Sequence, residues 1–286
     1  MLYLFISTII WAFSFSIIGN YLSPSIDPWS LSLLRVIISF LIFLPFANFK
    51  IHRKRMLNIA GIGAIQIGFM YSFYLNAFRF ISVEKILFFT IFTPIYVTLI
   101  SDLFQKKIQK VFLFLSLFSV LGSLIIRITE VDLLDLKGFI LIQGANFSFA
   151  LGQVLYRRYI KNDSRSDYNL NEFVYFYFGA LIIASLGSLI MIDSITYPKS
   201  LTQWLLVFWL GAIASGLGYY FWNRGSVLVS NGTLAVMNNL VIPLGLLIEI
   251  IFFSKSINVA NYVIGALIII SSIYFSFKRK MDVEKS

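Results

Sequence analysis

Two ionisable side chains stand well inside long apolar runs of this chain of 286 residues: Arg35, in the run 28–48, and Glu249, in the run 230–253. A lone charge at the centre of a bilayer costs roughly 2.5–3.5 kcal/mol on insertion scales, so each needs a partner or water. Three roles are open to Glu249: an ion pair with Arg35, capture of a substrate amine or a coupling proton, or reach to the outer interface. The same kind of run also holds aromatic, amide and hydroxyl side chains, namely Trp11, Ser14, Gln66, Tyr74, Thr93, Gln143, Asn146, Tyr219, Trp222 and Asn238. Aromatic walls with a few amides suit a solute that has an apolar body and a few polar groups.

Other chemistry is poorly provided for. Cysteine is absent, so no disulfide, thiolate metal site or thiol nucleophile exists. The single histidine, His52, sits in the basic cluster Lys50-Ile51-His52-Arg53-Lys54-Arg55, the composition of a solvated loop. No phosphate-binding loop for ATP hydrolysis and no carboxylate cluster with metal-ligand spacing is present. No cofactor and no metal is expected. An intramembrane enzyme would need acid, base or nucleophile groups at one depth, and Arg35 and Glu249 are too few.

The elements that must position these residues follow from composition. Hydrophobic residues make up 59% and charged residues 13%, with a mean hydropathy of +0.85. Runs such as Ile37–Pro45 and Ile264–Ile270 do not alternate, which excludes transmembrane β-strands. At roughly 20 residues per crossing about ten helices fit. They are placed at 2–22, 28–48, 57–78, 83–103, 110–127, 138–157, 172–193, 203–222, 230–253 and 259–277, the first read as a retained span rather than a signal peptide.

The net charge of +10 does not call for nucleic acid, because it sits in the loops of one face. Lys50, Arg53, Lys54, Arg55, Lys106, Lys107, Lys110, Arg157, Arg158, Lys161, Arg165, Arg224, Lys278, Arg279, Lys280 and Lys285 fall there. Arg79, Lys85, Arg127, Lys137, Lys199 and Lys255 fall on the other. The positive-inside rule puts the richer face, and both termini, in the cytoplasm of a multi-pass protein of the inner (plasma) membrane. Asn223-Arg224-Gly225 reads as a turn on that face.

Helical phase locates the interior, at about 100° per residue. The sixth span aligns Gln143, Asn146, Ala150, Gln153 and Arg157, with Gly144, Ser148 and Gly152 nearly opposite. The first aligns Ser7, Trp11, Ser14 and Ile18. The third aligns Gln66, Met70, Phe73 and Ala77, with Tyr74 at the edge. The fourth aligns Thr90, Thr93, Pro94, Val97 and Ser101, the eighth Ser215, Tyr219 and Trp222, and the ninth Asn231, Asn238, Ile242, Gly245 and Glu249. Amides on such faces either line a cavity or bond to a neighbouring helix. Pro94 and Pro243 each remove a backbone donor near mid-span, as hinges or as packing kinks.

Tyr71, Pro94, Phe104, Lys106 and Ile108 recur 149 positions later as Tyr220, Pro243, Phe253, Lys255 and Ile257. With five spans per copy the second copy enters the membrane upside down. The expectation is an all-α polytopic membrane protein of ten transmembrane helices in two inverted five-helix repeats, residues 1–130 and 131–286. Inverted repeats serve alternating access about a site near the midplane.

The chain resembles the drug/metabolite transporter superfamily, and within it the EamA-type permeases. The resemblance covers nearly the whole sequence and is most specific at Gly216-Leu217-Gly218-Tyr219-Tyr220-Phe221-Trp222-Asn223-Arg224-Gly225, then Thr233-Leu234-Ala235 and Pro243. Trp11, Arg35 and Asn76-Ala77 fit as well. It implies secondary transport of a small molecule across the lipid bilayer through a central cavity, by a monomer or homodimer, with a proton as a possible coupling ion. The Trp-Asn segment is closest to the branch that includes aromatic amino acid exporters, which implies efflux of an amino acid or related metabolite. Uptake of a nucleoside-like or methyl-donor compound and a non-transporting scaffold are the alternatives. One departure stands out: where members often carry Gly-Glu past each mid-span proline, this chain has Lys106-Lys107 and Lys255-Ser256.

Overall fold

The computed structural model describes residues 1–126, 135–162, 170–191, 196–254 and 256–285. The boundary expected at 130/131, and Arg127, Arg165 and Lys255, lie outside them. The described residues form ten apolar helices: α1 Leu2–Leu22, α2 Pro28–Phe46, α3 Arg53–Ala77, α4 Val83–Gln105, α5 Lys110–Ile126, α6 Leu136–Lys161, α7 Leu170–Ile190, α8 Leu201–Leu228, α9 Asn231–Phe253 and α10 Val259–Arg279. All but α5 are long and apolar enough to cross a bilayer by themselves, and α5 is a shorter apolar helix. The protein is a multi-pass membrane protein of all-α class.

Most caps are local. Asp27 accepts from the amides of Trp29 and Ser30 and starts α2 with Pro28 at its first position. Ser82 and Ser230 cap α4 and α9 in the same way, each accepting from the amide three residues on. Exposed Leu41, Leu189, Ile251 and Leu267 face outward, as lipid contacts require. In α9, 72% of the span is buried, against 22% in α10, so α9 is central and α10 peripheral.

Four helices change their winding in mid-span, in two pairs. In α3 and α8 the residues Ala64–Phe69 and Leu210–Leu217 are π-helical. In α4 a 3₁₀ turn at Thr90–Phe92 separates Val83–Phe89 from Thr93–Gln105. In α9 a 3₁₀ turn at Asn238–Leu240 separates Asn231–Met237 from Val241–Phe253. Each of these pieces of α4 has the length of its counterpart in α9, 148 positions on. Lys106 and Ser254, also 148 apart, end the two helices with φ of 51° and 52°. The backbone therefore pairs Tyr71 with Tyr219, one residue from the pairing read off the prolines, because Pro243 sits one position deeper in its helix than Pro94.

One expectation fails. Asn223-Arg224-Gly225 is not a turn: α8 continues through it to Leu228, and the chain turns at Val229, whose φ is −112° and ψ 174°. Burial explains the extension. Asn223 is fully buried, its Oδ1 accepting from Gln66 Nε2 at 3.1 Å. Ser226 Oγ donates to the Asn223 carbonyl at 2.7 Å, and a Cβ on Gly225 would stand 2.8 Å from Leu4.

Candidate functional site

The two breaks leave carbonyls without helical partners, and side chains replace the lost donors. Pro94 cannot donate to the Thr90 carbonyl, and Thr93 Oγ1 does so at 2.8 Å. The Phe89 carbonyl accepts from Asn146 Nδ2 at 2.9 Å and Gln143 Nε2 at 3.1 Å. Asn239 Nδ2 donates to the Ile91 carbonyl at 3.2 Å, which ties one break to the other. The π turns act differently. Each inserts a residue into the helical register, and so rotates the residues beyond it by about 100°.

Between these elements lies a cavity. Trp11, Ser14, Arg35, Tyr74, Thr93, Asn146, Tyr219, Trp222 and Asn238, all expected from the sequence, line it. Two expected residues do not. Gln66 is fully buried against α8 through Asn223, and Gln143 braces the break in α4. Pro94 and Pro243 stand behind the wall, beside the 3₁₀ turns.

The wall also takes Thr8, Phe15, Met70, Tyr71, Thr90, Ile142, Ala145, Phe149 and Val241. Tyr71 replaces Phe73, which is 36% exposed, because the π turn of α3 shifts the phase after Gln66. A regular period of 3.6 could not find it, although its place in the repeat pointed there. Trp11 packs on Tyr219 and Trp222 at ring-centroid distances of 5.0 and 4.9 Å, and on Phe149 at 5.4 Å. Its Nε1 donates to the Ala214 carbonyl at 2.9 Å, so the ring presents its apolar face to the cavity.

Electrostatically the site is one-sided. Arg35 is 2% exposed; its Nε donates to Ser215 Oγ at 3.0 Å and its Nη2 to Tyr71 Oη at 2.7 Å. The guanidinium carbon lies 4.3 Å from the centre of the Tyr71 ring. Nη1 is buried with no partner. No acidic side chain is among the described residues of the wall. A fixed cation with an unused donor, in an aromatic cage, is built to receive an anion.

The ion pair with Arg35, one of the three roles open to Glu249, does not form. Glu249, 1% exposed, points from α9 to the end of α1, where its Oε1 accepts from Asn20 Nδ2 at 3.3 Å and its Oε2 has no partner. Arg35 faces α3 and α8 instead. Glu249 therefore lies off the cavity wall, which sets aside the pair with Arg35 and the capture of a substrate amine.

The model of the EamA-like transporter family matches residues 1–128 and 136–278. The chain belongs to that family. It is an EamA-like transporter and not an enzyme. The biotin transporter of Salmonella typhimurium is 35% identical to it over 276 residues, covering 96% of this chain and 92% of that protein. The biotin transporter of Escherichia coli matches at the same identity and coverage, and the probable biotin transporter of Pseudomonas aeruginosa at 36% over 284 residues, 99% of each chain. A solved structure described only as "Crystal structure of protein" superposes with a TM-score of 0.74 at 15% identity, covering 95% of this chain and 94% of its own, and shows the fold. The relatives' names speak for a small solute but not for an amino acid.

Proposed function

We propose that this transporter carries biotin, or a solute built like it with an aliphatic carboxylate and a compact cyclic urea. The observation that carries the reading is Arg35, a buried cation on the cavity wall with Nη1 unpartnered. Arg35 holds the carboxylate. The box of Trp11, Phe149, Tyr219 and Trp222 takes the apolar ring system, and Asn146, Asn238, Thr90 and Thr93 flank the place for the urea. The names of relatives that match nearly end to end support the same solute. Amino acid efflux is the weaker reading, because an amino acid also brings an ammonium group and the described wall has no carboxylate to meet it.

The mechanism follows the repeat. Residues 1–130 and 131–286 act as two inverted halves that rock about the cavity, with the breaks at Pro94 and Pro243 as hinges. In support, Tyr71 and Tyr219, Tyr74 and Trp222, Thr90 and Asn238, and Thr93 and Val241 all line the cavity, each pair 148 positions apart. The excess of Lys and Arg in the loops of one face supports both termini in the cytoplasm of a bacterial-type inner membrane. Counterflow in proteoliposomes tests the solute: biotin loaded inside drives entry of labelled biotin, and amino acids do not compete. Competition by amino acids, with no effect of unlabelled biotin, overturns the reading.

A further inference from the structure

The break in α4 decides which way the nearby amides point. The Phe89 carbonyl accepts from Asn146 Nδ2 at 2.9 Å and from Gln143 Nε2 at 3.1 Å. A carbonyl can only accept, so neither amide can be turned over without setting two oxygens face to face. The second hydrogen of Asn146 Nδ2 goes to Gln143 Oε1 at 3.3 Å, and that oxygen also accepts from Tyr96 Oη at 3.3 Å. Asn146 thus stands on the cavity wall with both hydrogens spent. Only its Oδ1, which accepts from no described residue, is left for a solute.

The polar groups around it are in the same condition. Thr90 Oγ1 gives its hydrogen to the Leu87 carbonyl at 2.7 Å, and Thr93 Oγ1 gives its own to the Thr90 carbonyl at 2.8 Å. Asn238, at the break in α9, turns its Nδ2 to the Leu234 and Ala235 carbonyls at 2.8 and 3.3 Å. Each keeps lone pairs and has no hydrogen to give. The indole N–H groups of Trp11 and Trp222 are spent too, on the Ala214 carbonyl and on Gln153 Oε1, both at 2.9 Å. The bond from Asn239 to the Ile91 carbonyl holds the two breaks together, so the acceptors gather where α4, α6 and α9 meet. The strongest donor of the cavity, Nη1 of Arg35, comes instead from α2, which packs on α3, α7 and α8. The cavity therefore has a donor pole and an acceptor pole.

We propose that this acceptor-only patch reads N–H groups, and that Asn146 Oδ1 is the atom that decides specificity for the ring of the solute. The inference rests on the transport reading above and narrows it. A ring that carries N–H groups fits, whereas a ring that offers only acceptors at the same places sets oxygen against oxygen. A site built to bond a buried N–H rejects an analogue lacking it far more strongly than an apolar pocket rejects a change of size, because its own polar groups are left unpaired. The carboxylate arm alone, held by Arg35, is therefore not enough for tight binding.

The test is competition with labelled biotin on detergent-solubilised protein, using acids that differ in the ring. Desthiobiotin keeps the urea without the thioether, and its cyclic carbonate analogue replaces each N–H by oxygen at nearly the same size. Lipoate carries a similar acid arm on a ring with no N–H. Desthiobiotin should compete like biotin, and the carbonate and lipoate about a hundredfold more weakly. In Asn146→Ala the preference for urea over carbonate should shrink about tenfold, while the preference for acid over amide, set at Arg35, stays. Equal competition by desthiobiotin and either of the other two acids overturns the inference alone, and it needs no variant, so a misfolded Asn146→Ala does not spare it. An unchanged ring preference in folded Asn146→Ala overturns it as well. Failure of biotin itself to bind the unaltered protein overturns the transport reading and this inference with it.

Discussion

The rings of Tyr71 and Tyr219 meet edge to face at a centroid distance of 6.1 Å on the cavity wall, although they stand at equivalent places of α3 and α8, 148 positions apart. Each follows a π-helical turn of its helix. The two turns aim the two rings at one point, and the Tyr71 hydroxyl is shared there with Arg35 and with Ser215, each at 2.7 Å.

That hydroxyl positions the cation. In Tyr71→Phe the guanidinium keeps Ser215 and loses its second anchor. A hydrogen bond to a charged group is worth about 1.5–3 kcal/mol, so biotin should bind about tenfold more weakly while the protein still folds. Titration of labelled biotin onto detergent-solubilised protein checks this, and unchanged affinity would remove Tyr71 from the positioning of Arg35.

Packing of α3 on α7 depends on two glycines. A Cβ on Gly63 would stand 1.8 Å from the Phe176 carbonyl oxygen, and one on Gly179 the same distance from that of Ala60. Gly61, two positions from Gly63, has nothing within 4 Å. Gly63→Ala should therefore cost about 1–3 kcal/mol or abolish folded expression. Gly61→Ala should be neutral or slightly stabilising, since alanine is the better helix former. Thermal unfolding and size-exclusion profiles separate the pair, and equal behaviour of the two variants would contradict the close contact.

Glu249 is buried beside Asn20 with one oxygen unpartnered and stands apart from the solute cavity, and a coupling proton is the role to test. Glutamine keeps the shape and can still accept from Asn20. In Glu249→Gln, counterflow of biotin should persist while accumulation driven by an imposed proton gradient disappears. Undiminished gradient-driven accumulation would release Glu249 from coupling and leave it a packing residue.

Much of this was legible in the amino-acid pattern, because lipid forces polar side chains inward. Helical phase brings Trp11, Ser14, Tyr219 and Trp222 to interior faces, and the ten spans agree within a few residues except at the end of α8 and at some loop-side ends. What escaped lies where regular geometry stops. Tyr71 and Phe73 exchange places because a π turn precedes them, and local composition does not announce such a turn. Asn223 read as a loop residue because it is polar and precedes Arg224, and only its bond to Gln66, 157 positions away, shows why the helix continues. Arg35 and Glu249 attracted each other on paper, since opposite charges in apolar runs need partners. The structure gives each a nearer polar neighbour, in Tyr71 and Ser215 for the one and Asn20 for the other.

Contact between Arg35 and the carboxylate of the solute is isolated by a thermodynamic cycle that changes the side chain and the ligand group in turn. Equilibrium binding of biotin and of its neutral amide is measured on the unaltered protein and on Arg35→Gln. A charge-assisted, two-donor contact predicts that the unaltered protein prefers the acid by about tenfold or more and that the preference vanishes in the variant, which still binds the amide. An undiminished preference for the acid in Arg35→Gln would contradict the account.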